Sequence, residues 1–259
     1  MTIDQLFVLA QSSESFFVPD SWAQGRTLYG GLTAAMLLVA IEKEVDNAKL
    51  LRTLNISFSA PASPNIELSI ETELLREGKN VAQWQARLMQ QGVCCVQVNA
   101  AFGMALATNV SVESCEIPDM ASIDESFLYP EGAGPRFTEY FEAYQATKDF
   151  PLLGTDGVQL GGWIKFKQAP EVMTSAHLIA LLDAWPPAIS IRLTEFKAGS
   201  TVSWSIQFPN PLVEMKASEH LGFLDELDHA ADGFSYSRAK IWNNQGQLLA
   251  LSYQTVITF

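Results

Sequence analysis

The sequence predicts an α+β protein made of two similar units, each a sheet wrapped around one helix. Three observations point there. First, "NISFSAP" (55–61) and "SIQFPNP" (205–211) both end strand-like runs, and Ile56, Phe58 and Pro61 are matched by Ile206, Phe208 and Pro211, 150 residues on. Second, "WQARLMQQGVCCVQVNAAF" (84–102) parallels "RAKIWNNQGQLLALSYQTV" (238–256) at an offset of 154. Each reads as a hairpin with Gly92 or Gly246 in its turn, followed by a long strand. Third, each half sets one largely apolar helix ahead of these strands. Self-similarity of this kind is the mark of a repeated supersecondary unit, and a helix apolar nearly all round suits burial against a sheet.

Taken in order, the chain opens with "MTIDQLFVLAQSS", which carries Asp4 and only a short apolar run. That run is too short for a secretory h-region, and no stretch approaches the ~18 apolar residues of a membrane span. Lead-in strands are expected next. The first helix then begins at Gly30 in "GGLTAAMLLVAIEKEV", with Leu37, Val39, Ala40 and Ile41 at helical spacing. Strands follow to about residue 106. Pro118, Pro130, Gly132 and Gly134, with several acids, mark 107–135 as a connector. The units are therefore 1–106 and 136–259. In the second, "TSAHLIALLDAWPP" offers Thr174 or Ser175 as N-cap, and Pro186 ends the helix near Asp183 to Trp185.

Composition narrows the function. Hydrophobic residues make up 48% and charged residues 17%, which suits a sizeable core. A formal net charge of −13 argues against nucleic acid or anionic lipid as partner. Cys94 and Cys95 are adjacent in an expected strand, so they face opposite ways and cannot form a metal pair. With Cys115 the count is odd, and a reduced, cytoplasmic setting follows. "GFSYS" (233–237) lacks the closing Gly of a nucleophile elbow, and "GAGPRF" from Gly132 lacks the third Gly of a dinucleotide fingerprint. His177, His220 and His229 have no metal-ligand spacing and read as surface or packing residues. No metal or cofactor is expected.

The repeat singles out three polar positions. Asp183 falls opposite Val39, Thr201 opposite Leu51, and Gln254 opposite Ala100. Only the second half has the polar residue each time. A Thr opening a strand or a Gln late in one is ordinary on a solvated face, but Asp183 sits within the apolar "LIALLDAW". A buried carboxylate must be paired, protonated or used. An acid, a hydroxyl and an amide could together hold one water molecule.

"GRTLYGGLTAA" in the first half, with "LLDAW", "STVSWSIQFPNP" and "GQLLALSYQ" in the second, resembles the acyl-CoA thioesterase II (TesB-like) family over almost the whole chain. The resemblance implies two fused hotdog folds, a homodimer, and a place in fatty acid metabolism. It also implies that Asp183, Thr201 and Gln254 bind and activate the hydrolytic water. "VSWS" after Thr201 departs from the family's more polar stretch. On this reading Asp183 is the base, and Gly30 and Gly31 admit the substrate to a helix N-terminus whose N–H groups support the oxyanion. Tight helix packing would equally explain the two glycines. Arg26, Arg76 and Lys79 are candidates for the CoA phosphates. Two other readings stand beside this one. An acyl-CoA hydratase would need an Asp–His pair, and no His closely follows Asp183. A catalytically silent acyl-binding module would bind without turnover.

Overall fold

Residues Gly30–Glu42 form the longest helix of the computed structural model, which describes residues 1–112, 118, 120–209, 211 and 213–259. Cys115 and part of the 107–135 segment lie outside the described residues. Every residue from Gly31 to Ile41 of this helix is buried, as an all-round apolar surface requires.

In chain order the elements are α1 (Ile3–Ser12), β1 (Ala23–Gln24), β2 (Thr27–Leu28), α2 (Gly30–Glu42), β3 (Leu50–Phe58), β4 (Ser69–Glu77), β5 (Val81–Gln90) and β6 (Val93–Gly103). There follow β7 (Phe127–Leu128), β8 (Phe141–Gln145), β9 (Gln159–Phe166), α3 (Ser175–Leu182), β10 (Gly199–Gln207), β11 (Leu221–Ala231), β12 (Phe234–Trp242) and β13 (Leu248–Thr258). Eleven strands join in one antiparallel sheet, ordered β4-β5-β6-β3-β10-β13-β12-β11-β9-β8-β7. The strands of the two halves meet where β3 pairs with β10, Ile56 opposite Trp204. The halves thus share one sheet, with α2 and α3 packed against each other. Among the described residues no helix is long and apolar enough to cross a membrane.

The repeat extends to register. β3 and β10 each carry an irregularity in their ladders, at Leu51/Thr53 and at Thr201/Ser203. Leu54 faces Ala100 in the first half, and Trp204 faces Gln254 in the second. Gly92 and Gly246 both turn with positive φ (79° and 77°), a conformation that favours glycine.

Two regions differ from the sequence reading. The chain opens on a helix rather than on lead-in strands alone. Thr2 and Gln5 form a capping box, and Ile3, Leu6, Phe7 and Ala10 are buried at helical spacing. The stretch between the halves also contributes structure. β7 pairs with β8 at one sheet edge, and a 3₁₀ turn, Arg136–Tyr140, stacks Phe137 on Tyr29 and Tyr140 on Trp22 at centroid separations of 3.9 and 3.8 Å. These stacks pin the start of the second half to the approach of α2.

Candidate active site

Asp183 caps the C-terminus of α3, with φ −94° and ψ 0°. Pro186 and Pro187 prevent further helix, so the carboxylate leaves the helix axis instead of lying against another turn. Its two oxygens have separate partners from opposite halves of the chain. Oδ2 accepts the Gly31 backbone N–H at 2.7 Å. Oδ1 accepts the Gln254 side-chain amide at 3.0 Å. The first donor belongs to the first turn of α2, whose leading N–H groups have no intrahelical acceptor, and that helix end carries positive partial charge.

Residue Asp183 keeps some exposure, yet its carboxylate is deep enough that burial raises its pKa to about 6. The bonds from Gln254 and Gly31 pull the other way and lose to the desolvation. Among the described residues no Lys, Arg or His forms an ion pair with it. A carboxylate in this state is a base matched to neutral pH.

The glycines are there for space. A Cβ on Gly30 would stand 3.0 Å from Asp183 Oδ2 and 3.3 Å from the Phe58 ring. On Gly31 it would stand 2.6 Å from the Tyr29 hydroxyl and 2.9 Å from Asp183 Cβ. The Gly31 N–H is spent on the carboxylate. Gly30, one residue earlier and partly exposed, carries another leading N–H.

Thr201 lies further along the ladder from Gln254. It faces Val256 in β13, on the same side of the sheet as Gln254 but beyond it. Among the described residues no hydrogen bond joins Thr201 to Asp183 or Gln254. Of the three basic candidates, Arg26 is exposed in the β1–β2 turn close to Gly30, while Arg76 and Lys79 belong to the β4–β5 edge of the sheet. Five strand spacings separate β4 from β13, about 24 Å.

Three residues that sequence reasoning passed over also belong to this neighbourhood. The Tyr29 hydroxyl donates to the Ala180 carbonyl, tying the start of α2 to the last turn of α3. Burial, with the Asp183 charge second, pushes its pKa up and keeps it a donor. Asp225 and Ser237 lie on the inward faces of β11 and β12. The aromatic before the "GG" pair was a usable signal for Tyr29; isolated strand polar residues give none. His177 is buried, with one ring nitrogen 3.0 Å from Asp4 and the other accepting the Thr174 N–H at 3.2 Å. Among the described residues no hydrogen bond or ion pair joins it to Asp183, as the Asp–His pair of a hydratase would require. No cluster of described residues is suited to a metal.

Comparisons with known proteins bear on the family and the fold. Residues 18–103 match the model of the acyl-CoA thioesterase N-terminal domain, and residues 115–258 match that of the C-terminal domain. Among solved structures, a hot dog protein of unknown function from Alicyclobacillus acidocaldarius is similar at TM-score 0.88 and 19% identity, covering 99% of this chain and 97% of its own. The acyl-CoA thioesterase II TesB2 of Mycobacterium marinum is similar at TM-score 0.79 and 18% identity, covering 100% and 98%. The tesB protein of Mycobacterium avium subs paratuberculosis is similar at TM-score 0.80 and 14% identity, covering 100% of both. Comparison with curated proteins gives no match. At such identities the solved structures speak for the fold, and the two domain models for the family. The chain belongs to the acyl-CoA thioesterase family, thioester hydrolases built here on a double hotdog.

Proposed function

We propose that the protein hydrolyses an acyl-CoA thioester to the free acid and CoA at a single site per chain, with Asp183 as general base. The observation that carries this is the Asp183 carboxylate, raised to about pKa 6 and held between Gly31 of one half and Gln254 of the other. Water is a poor nucleophile, so its proton must leave as it attacks. Asp183 takes that proton. The water oxygen bonds to the thioester carbonyl carbon, and negative charge collects on the carbonyl oxygen. The first turn of α2 supplies the donor there, through Gly30 and, when Asp183 Oδ2 yields it, Gly31. The intermediate collapses by breaking the C–S bond, and the departing thiolate receives the proton held by Asp183. Gln254 orients both the base and the water. Thr201 is assigned a share of the water on the strength of the family resemblance.

In this reading the first half serves as oxyanion support and scaffold, since Val39 replaces the acid and Ala100 the amide. The units are 1–106 and 136–259, joined through 107–135. We assign Arg26 to the CoA phosphates, because it is exposed close to Gly30. The exposed strand β4, at the open edge of the sheet, favours association into a homodimer. A cytoplasmic setting in fatty acid metabolism fits an acyl-CoA substrate and the free thiols of Cys94 and Cys95.

The test is release of free CoA, followed with a thiol reagent, from acyl-CoAs of several chain lengths. Turnover above buffer is expected for at least one. Binding of acyl-CoA without release across the whole series would overturn the proposal.

A further inference from the structure

Behind the Asp183–Gln254 pair lies a cavity of about 10 Å³, the size of one water molecule. Its polar wall consists of Asp183, Gln254, Asp225, Ser237 and Ser252. Three adjacent strands bring these groups together. Ser237 of β12 is directly opposite Gln254 of β13, and Asp225 of β11 is opposite Ala239, two residues along from Ser237. Alternation along β12 sends Ser235, Ser237, Ala239 and Ile241 inward while Tyr236 and Arg238 face out.

Asp225 is 4% exposed and forms no ion pair among the described residues. It accepts the Ala188 N–H at 2.9 Å, at the start of the 3₁₀ turn after "WPP", and the Ser237 hydroxyl is near enough to pull its pKa down against the effect of burial. An acid buried beside its neighbours with only a backbone N–H and one hydroxyl to hold it is costly. Capping a five-residue turn does not require a charge. Trp185, which forms part of the same wall, has a buried indole N–H with no acceptor among the described residues. Ser252 is opposite Ala239, and its hydroxyl accepts the Trp204 indole N–H at 2.7 Å. The hydroxyl directly across the ladder from Gln254 is that of Ser237.

We propose that Ser237 is a further hydroxyl that holds the hydrolytic water beside Gln254 and Asp183, and that Asp225 is its positioning residue. The inference rests on the hydrolase reading above. A hydroxyl that donates to Asp225 turns its oxygen lone pairs towards the cavity, where they accept a hydrogen from the water. The water's own lone pair is thereby left for the acyl carbon while Asp183 takes the second hydrogen. Asp225 acts through Ser237 and touches neither substrate nor the water's departing proton.

The test uses the full chain and steady-state CoA release. Ser237→Ala should lower kcat about 10–100-fold with KM changed less than threefold, because a group that orients the nucleophile acts on the transition state. Asp225→Asn should lower kcat with the same KM signature. The double variant should lose no more than Ser237→Ala alone, since both act on one hydroxyl. A melting temperature that falls while kcat stays within twofold, with effects that add in the double variant, would overturn the proposal in favour of a structural cap. A crystal structure of the wild type gives a second measurement should the variants fold poorly. An ordered water within hydrogen-bond reach of Ser237 Oγ and Gln254 is expected there, and an absence of density in that cavity at high resolution would overturn it. If wild type is active and Asp183→Asn inactive while Ser237→Ala is normal, this inference alone fails. A wild type that releases no CoA brings down the hydrolase reading instead.

Discussion

Replacing Asp183 by Asn separates chemistry from stability, and the structure sets the size of both effects. The amide keeps the carboxylate's shape but cannot take a proton from water, so kcat should fall by roughly 10²–10⁴. Only help in the transition state is lost, so kcat and kcat/KM should fall together. In the wild type kcat/KM should rise with pH through an inflection near 6, where Asp183 ionises. The fold should tolerate the change. Burial lifts the folded pKa to about 6 from 3.8, which corresponds to roughly 3 kcal/mol of cost to holding the charge. Because the folded pKa is the higher one, the fold favours the protonated acid. The contribution of Asp183 to stability is therefore intact below about pH 4 and is lost as pH rises through about 6. Asn removes that loss. It gives back a part of it, because two donors, Gly31 N–H and Gln254 Nε2, now face one amide oxygen. Gln254 can turn its own amide to present oxygen to the new NH₂, leaving a difference of about 1–2 kcal/mol for the weaker neutral bonds. The melting temperature of Asp183→Asn at pH 8 should thus equal or exceed that of wild type, with the advantage shrinking towards pH 4. Thermal unfolding at both pH values, beside a thiol-release assay, measures the two effects. Near-normal turnover with a melting temperature several degrees lower at pH 8 would refute the reasoning and make Asp183 a helix-end anchor.

Gly31→Ala should cost both activity and stability, because its Cβ would collide with the Tyr29 hydroxyl and Asp183 Cβ; a fully active Gly31→Ala protein would show that the carboxylate can move away without consequence. Val39, 5% exposed in α2, should lose about 1–2.5 kcal/mol on truncation to Ala, read by chemical denaturation, while turnover persists in the folded fraction. Loss of all activity in folded Val39→Ala would contradict a silent first half. Light scattering at micromolar concentration should give twice the 28.5 kDa chain mass, and a single-chain mass would exclude the homodimer.

Much of the architecture was legible because it is written in short-range patterns. The run 31–41, apolar but for Thr33, suits a buried helix, and the glycines at 92 and 246 mark their turns by sequence alone. The 150-residue echo of "NISF" in "SIQF" predicted a repeated unit, and the repeat recurs down to the ladder irregularities beside Leu51 and Thr201. The polar positions Asp183 and Gln254 could be singled out for the same reason, since a repeat exposes where one copy departs from the other. The opening helix was legible too, through the Thr2–Gln5 capping box, but a short apolar run read for targeting was not read for its period. What no local pattern contains is the meeting of distant groups. The bond from Gly31 to Asp183 spans 152 residues, and it consumes an N–H that helix-terminus reasoning alone leaves free for substrate. Thr201 shares a sheet face with Gln254, and the ladder irregularity next to it sets it opposite Val256. Asp225 and Ser237 are unremarkable polar residues in alternating strands until β11, β12 and β13 lie side by side and turn them inward. Periodicity is a property of neighbours along the chain, so sequence determines it. Desolvation and hydrogen-bond partnership depend on which remote segments close over a group, so the ionisation of Asp183 and the lining of the cavity beside it were decided only by the tertiary structure.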